Sequence, residues 1–270
     1  MTSDEVYANL MLHGTKSYPY PWMINHASIL AKNALEIHKK YGIKKKNCID
    51  LGCGVGVFCK TLAENDFTCL GIDKNETFIE VATKNWAFEH LKFLNKEIEE
   101  FLPYDTYAIV AATHQVVNLF SDFTSILEKM NSLVSFEGFL IFDLITQRGF
   151  ETWQDVQVQE RKDFYMMQKC IYDEIEAKGT IKLTGFVENY YNDYDRFDVY
   201  NTVYNHSVDD VVNYLKGLKL QVDVYNGNTL QKTDNFNAHT EVTIIARNTI
   251  YNEFNTEGLF SKCKRALKIS

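Results

Sequence analysis

The chain has little proline, no long apolar run and a deficit of basic charge. Only three of its 270 residues are proline, and no Pro/Gly/Ser-rich linker or low-complexity stretch divides it, so one continuous folded unit is expected. That length is enough to bury a full core. No segment approaches the roughly 20 apolar residues that a membrane helix needs, and Met1-Thr2-Ser3-Asp4-Glu5 lacks the basic and apolar regions of a signal peptide. Lys and Arg total 28 against 36 Asp and Glu, a formal net charge of −8. Nucleic acid is thereby disfavoured as a partner, because phosphate contacts need clustered cations. The one tight basic run, Lys44-Lys45-Lys46, falls between a helix-like and a strand-like stretch and reads as solvated surface. There are six cysteines but no CxxC pair. Cys48, Cys53, Cys59 and Cys69 crowd one short region and read as reduced buried thiols rather than disulfides or metal ligands. The expectation is a soluble, cytoplasmic protein with neither a membrane nor a nucleic-acid partner.

What is present centres on Asn47 to Phe58. A short apolar run reaches Asp50, passes Gly52, Gly54 and Gly56, and continues from Val57 to Leu62, the pattern of a strand, a tight turn and a helix start. Glycine suits such a turn because it accepts positive φ and lets a bulky ligand lie against the backbone. A dinucleotide fingerprint would need its third glycine at position 57, where Val57 stands. A second apolar strand, Phe67 to Ile72, ends in Asp73, close to the spacing at which an acid reaches ribose hydroxyls.

Elsewhere, apolar spacing predicts helices over 22–41, 75–88 and 123–134 and strands over 91–94, 107–112 and 138–144. Strands alternating with helices across short joins imply a right-handed parallel sheet covered on both faces. Ligands in such sheets sit beyond the carboxyl ends of strands. The segment after the fourth strand, Thr113-His114-Gln115-Val116-Val117-Asn118, is therefore where chemistry is expected, with His114 its leading polar group. From about Asp163 to His206 the period changes to two. Phe197, Val199 and Val203 fall on one face of the last strand there, and Asp198, Tyr200, Thr202, Tyr204 and His206 on the other. An inserted antiparallel sheet whose aromatic, polar side roofs the site is expected. Ser207-Val208-Asp209-Asp210 then opens a helix, strands over 218–225 and 240–246 close the fold, and the tail bearing Lys262, Lys264, Arg265 and Lys268 has no assigned role.

The Asp50-x-Gly52-x-Gly54-x-Gly56 loop followed by Asp73 resembles motif I and the second acid of the class I S-adenosylmethionine-dependent methyltransferases. The inserted sheet resembles the lid of bacterial small-molecule methyltransferases, aminosugar-type enzymes among them, and of the glycine N-methyltransferase-like group. The resemblance covers roughly Tyr7 to Arg247. It implies an α/β fold built on a seven-stranded Rossmann-like sheet with helices on both faces and an inserted antiparallel β lid. The expected division is 1–150 for the cofactor-binding core and N-terminal cap, 151–206 for the lid, 207–250 for the rest of the core and 251–270 for a tail. It also implies S-adenosylmethionine as cofactor, with S-adenosylhomocysteine as product, held by Asp50, Gly52, Gly54, Gly56, Asp73, Lys74 and Thr113. Glu97 and Ile98 stand where the family reads the adenine edge, although Lys96-Glu97 replaces the more frequent Gly-Asp. Tyr18 matches the tyrosine of a Lys-Asp-Tyr-like stretch that folds over the cofactor, with serine as the middle residue here.

Methyl transfer is an in-line displacement that rests on positioning and exclusion of water, and it requires no metal. An amine or hydroxyl acceptor is helped by a nearby base, the role expected of His114. Tyr7, His114, Tyr204 and His206 are the expected acceptor contacts. A small polar metabolite is expected, with nitrogen ahead of oxygen as the methylated atom. The (Asn/Asp)-Pro-Pro-(Tyr/Phe) segment of enzymes that methylate exocyclic base nitrogens is absent. A protein or RNA methyltransferase and a non-catalytic module of the same fold are the alternatives, and a homodimer stays open.

Overall fold

The computed structural model describes residues 21–153, 156–161, 164–188, 193–227 and 229–250. The expectations placed on Tyr7, Tyr18 and the 251–270 tail lie outside the described residues.

Helix α1 (Pro21–Lys40) carries Ala27, Leu30, Ala31, Ala34 and Ile37, all buried, as one apolar stripe at the 3.6-residue period. Strand β1 (Asn47–Leu51) turns through the glycines into α2 (Val57–Ala63), and β2 (Thr68–Asp73) passes into α3 (Glu76–Asn85). The Asn75 side chain caps α3 by accepting from the Phe78 N–H, which satisfies a donor that the helix leaves orphaned. That helix ends at Asn85 rather than running to Phe88, because Trp86 leaves helical geometry and donates its indole N–H to the Val55 carbonyl at 2.8 Å. Strands β3 (Leu91–Asn95) and β4 (Tyr107–Ala112) follow. A 3₁₀ turn (Val116–Leu119), α4 (Phe123–Leu133) and β5 (Val134–Ile145) complete the parallel part.

After α5 (Gln147–Glu151) the chain forms β6 (Val156–Arg161), β7 (Phe164–Asp173), β8 (Lys178–Glu188) and β9 (Tyr194–Tyr204). Helix α6 (Val208–Gly217), β10 (Gln221–Asn226) and β11 (Glu241–Arg247) end the described fold. The main sheet has seven strands in the order β10-β11-β5-β4-β1-β2-β3. Strands β1 to β5 are parallel, while β11 runs antiparallel to both β5 and β10. One apolar cluster joins α1 and α2 to one face, and another joins α4 and α6 to the opposite face. Strand order reverses between β1 and β4, and at such a switch point the strand tips leave a crevice.

The second sheet is antiparallel throughout, in the order β6-β7-β8-β9. It starts at Val156, earlier than the expected Asp163, since Val156-Gln157-Val158 already alternates. Phe197 and Val199 are buried and Asp198 and Tyr200 exposed, so the period-two reading of β9 holds. Phe197, Val199, Leu183 and Met166 belong to the same apolar cluster as α1 and α2. The two sheets therefore share a core. Among the described residues no helix is long and apolar enough to cross a membrane.

Candidate active site

The glycine turn is shaped by three positive φ angles, 74° at Gly52, 52° at Gly54 and 78° at Gly56. The three positions are not equivalent. A Cβ on Gly52 would lie 2.7 Å from a Val116 methyl, and one on Gly56 would lie 2.4 Å from the Phe93 ring, whereas Gly54 meets nothing within 4 Å. Gly52 and Gly56 are thus fixed by packing beneath the turn, and Gly54 faces open space on the cleft side.

Asp73 ties this turn to the tip of β2. One carboxylate oxygen accepts the Gly54 N–H and the other the Asn75 N–H, each at 2.8 Å. Burial raises its pKa, and the two amides partly offset that shift. Asp50, one strand away, differs sharply. It is 1% exposed, and neither of its carboxylate oxygens has a hydrogen-bond partner. Burial first, then the charges of Asp73 and Asp143, push its pKa well above the carboxylate range. A buried polar group left bare costs about 1–3 kcal/mol, so this arrangement is that of an acid awaiting a donor or a cation.

These groups open on a cleft of about 510 Å³ at the β1/β4 switch point, within the roughly 300–1,000 Å³ that small-ligand sites occupy. Asp50, Gly52, Gly54, Asp73, Lys74, Glu97, Ile98, Thr113 and His114 all line it. The described residues expected to hold the cofactor are thereby brought together, apart from Gly56, which packs against Phe93. With Glu99 included, the wall carries four acids against Lys74 and His114. Such a surface favours a cationic guest.

The opposite wall is made by Leu119 and Phe120 of the turn after β4, by Ile181 of β8, and by Tyr200, Asn201, Thr202 and Val203 of β9. Four consecutive strand residues cannot share one face. The cleft therefore meets the free edge of β9, the outermost strand of its sheet, rather than the aromatic face alone. Tyr204 and His206, expected as acceptor contacts, do not line the cleft. Asn118 donates to the Tyr204 carbonyl at 2.8 Å, and His206 Nε2 pairs with the Phe120 carbonyl at 2.8 Å with its ring against Phe123. Burial lowers the His206 pKa, in keeping with a neutral packing role.

The turn after β4 contains what the sequence did not disclose. His114 and Gln115 adopt φ of 62° and 56°, a left-handed conformation that costs a non-glycine residue about 1–2 kcal/mol. Gln115 is clamped there. Its backbone N–H donates to Asp143 Oδ2 and its side-chain amide to Glu241 Oε2, both at 2.9 Å. The ring of His26, from α1, lies 4.9 Å from that of His114. Glu241 is pushed up to about 7, chiefly by burial and then by Asp143. His26, Asp143 and Glu241 come from three distant segments, and no local pattern in the sequence links them.

A methyltransferase-domain model matches residues 43–194, more than half of the 270-residue chain. Among solved structures, an S-adenosylmethionine-dependent methyltransferase from Clostridium acetobutylicum superposes with a TM-score of 0.71 at 14% identity, covering 90% of this chain and 96% of the other. The CcbJ methyltransferase from Streptomyces caelestis gives 0.70 at 11% identity, over 92% and 99%. The sugar N-methyltransferase KedS8 from a Streptoalloteichus species gives 0.66 at 11% identity, over 83% and 88%. No curated relative matches in sequence. With its seven-stranded sheet, its switch-point cleft and the matched domain, the chain belongs to the methyltransferase-domain family and is a methyltransferase.

Proposed function

We propose that the chain transfers a methyl group from S-adenosylmethionine to a nitrogen or oxygen of a small polar metabolite, with nitrogen the favoured atom. The observation that carries this reading is Asp50, a buried acid with two bare oxygens beside a glycine turn and one strand from Asp73. S-adenosylmethionine supplies a positively charged sulfonium whose methyl is open to in-line displacement. Asp50 and the Gly52 carbonyl would receive its ammonium group, and Asp73 its ribose. Glu97 and Ile98 would flank the adenine. The carboxylate would lie against the amides of the glycine turn at the start of α2.

His114 is the imidazole that lines the cleft at its acceptor end. It takes the proton that an ammonium or hydroxyl acceptor must lose, while Thr113 and the edge of β9 exclude water. The second sheet acts as a lid, and a cleft of this size walled partly by Leu119, Phe120, Ile181 and Val203 suits a compact acceptor. Reduced buried thiols at Cys48, Cys59 and Cys69 accord with a cytoplasmic enzyme. Radiolabelled methyl transfer into a cell extract, separated into small-molecule, protein and RNA fractions, tests the acceptor class. Label in the small-molecule fraction is expected. Label in protein or RNA alone would favour a macromolecular acceptor, and no label in any fraction would leave only a binding role.

A further inference from the structure

Behind the cleft, His26 of α1, Asp143 near the end of β5 and Glu241 at the start of β11 converge. Among the described residues they are the one group of three His, Cys, Asp or Glu whose ligand atoms all lie within 4.8 Å of one another. His26 Nε2 stands 3.5 Å from Asp143 Oδ2 and 3.6 Å from Glu241 Oε1. Those spacings are too long for a charge-assisted hydrogen bond, which settles at about 2.7–2.9 Å. They match instead the edges of a coordination polyhedron, since N and O ligands at about 2.0–2.2 Å from a tetrahedral ion sit roughly 3.3–3.6 Å apart.

Two further observations point the same way. His26 Nε2 and Asp143 Oδ1 are buried without a hydrogen-bond partner, Asp143 being fully buried. Gln115 meanwhile holds Asp143 through Oδ2 and Glu241 through Oε2, which leaves Glu241 Oε1 toward His26. This is how an outer layer orients metal ligands.

The geometry points to a divalent transition-metal site formed by His26, Asp143 and Glu241. One imidazole and two carboxylates suit Zn²⁺, Mn²⁺ or Co²⁺ better than the oxygen-only preference of Ca²⁺ or Mg²⁺. None of the three ligands lines the cleft. The ion is therefore structural: it fastens α1 to the sheet and pins the left-handed His114–Gln115 pair from behind. This assignment does not depend on which cofactor or acceptor the cleft takes.

The test is Co²⁺ titration of untagged, chelator-stripped full-length protein, read by visible d–d absorption and by thermal unfolding. Saturation at one equivalent and a raised Tm are expected in the wild type. Both should be lost in Glu241→Gln, and Gln115→Ala should weaken binding by about 10–100-fold. If Glu241→Gln does not fold, His26→Gln replaces it, because that change keeps both carboxylates. Absence of a saturable band and of any Tm rise in the wild type, or persistence of both in His26→Gln, would overturn the assignment.

Discussion

The two walls of the cleft are built on different principles. On the β1/β2 side the backbone does the work. Glycines at positive φ, loop amides and two strand-tip acids are set by residues close in sequence, and the Asp73 carboxylate accepts the N–H groups of Gly54 and Asn75. On the β4/β9 side the shape depends on contacts between distant segments: Asn118 with Tyr204, Gln115 with Glu241, His26 with His114. On the proposed reading the first wall takes the cofactor and the second the acceptor.

Separating the two walls by mutation gives the largest expected effect. His114→Ala should lower kcat by about 10²–10⁴-fold, the usual contribution of a positioned base, and leave the affinity for S-adenosylhomocysteine unchanged. Loss of cofactor binding with kcat preserved would reverse the assignment of the walls.

Within the glycine turn, Gly56→Ala should destabilise by about 2–5 kcal/mol, from left-handed strain of about 1–2 and overlap with the Phe93 ring of about 1–3. Gly54→Ala should cost only the strain, about 1–2 kcal/mol, because the space there is open. Chemical denaturation measures both. Equal costs would mean that packing does not distinguish the two positions.

Asp50 makes a pH test possible. Its folded pKa is raised, so the native state holds the proton more tightly than the unfolded chain, and ligand-free stability should fall as pH rises above the ordinary value of 3.8 toward the folded one. Asp50→Asn removes this slope and should be the more stable protein at neutral pH without ligand. A wild-type stability that rises through the same range faster than that of Asp50→Asn would contradict a bare buried acid.

The smallest effect belongs to the edge of β9. Tyr200 is 58% exposed with Lys182 over its ring, so Tyr200→Ala should raise the acceptor KM by less than about tenfold, a partial contact being worth up to about 1 kcal/mol. Cofactor affinity should not move.

The same contrast explains what the sequence could disclose. The β1/β2 wall was legible because a glycine turn and the acid that follows the next strand lie within one short βαβ unit, where local φ requirements and spacing are strong constraints. Asp50, Gly52, Gly54 and Asp73 all appear where the spacing put them. The alternation of parallel strands with covering helices was legible for the same reason. The other wall was not. Alternation along β9 correctly sorted Phe197 and Val199 from Asp198 and Tyr200, yet it could not say that the strand meets the cavity by its edge, nor that Asn118 would donate to the Tyr204 carbonyl. Two adjacent left-handed residues without a glycine, His114 and Gln115, carry no local signal, since tertiary clamps from Asp143 and Glu241 hold them.

On the proposed reading, Asp50 and Asp73 together hold S-adenosylmethionine against the glycine turn. Isothermal titration with S-adenosylhomocysteine, comparing wild type with Asp50→Asn and Asp73→Asn, tests it most directly. Saturable heat in the wild type and at least about tenfold weaker binding in each variant are expected, each lost charge-assisted contact being worth about 1.5–3 kcal/mol. No heat in the wild type, or wild-type affinity in both variants, would contradict it.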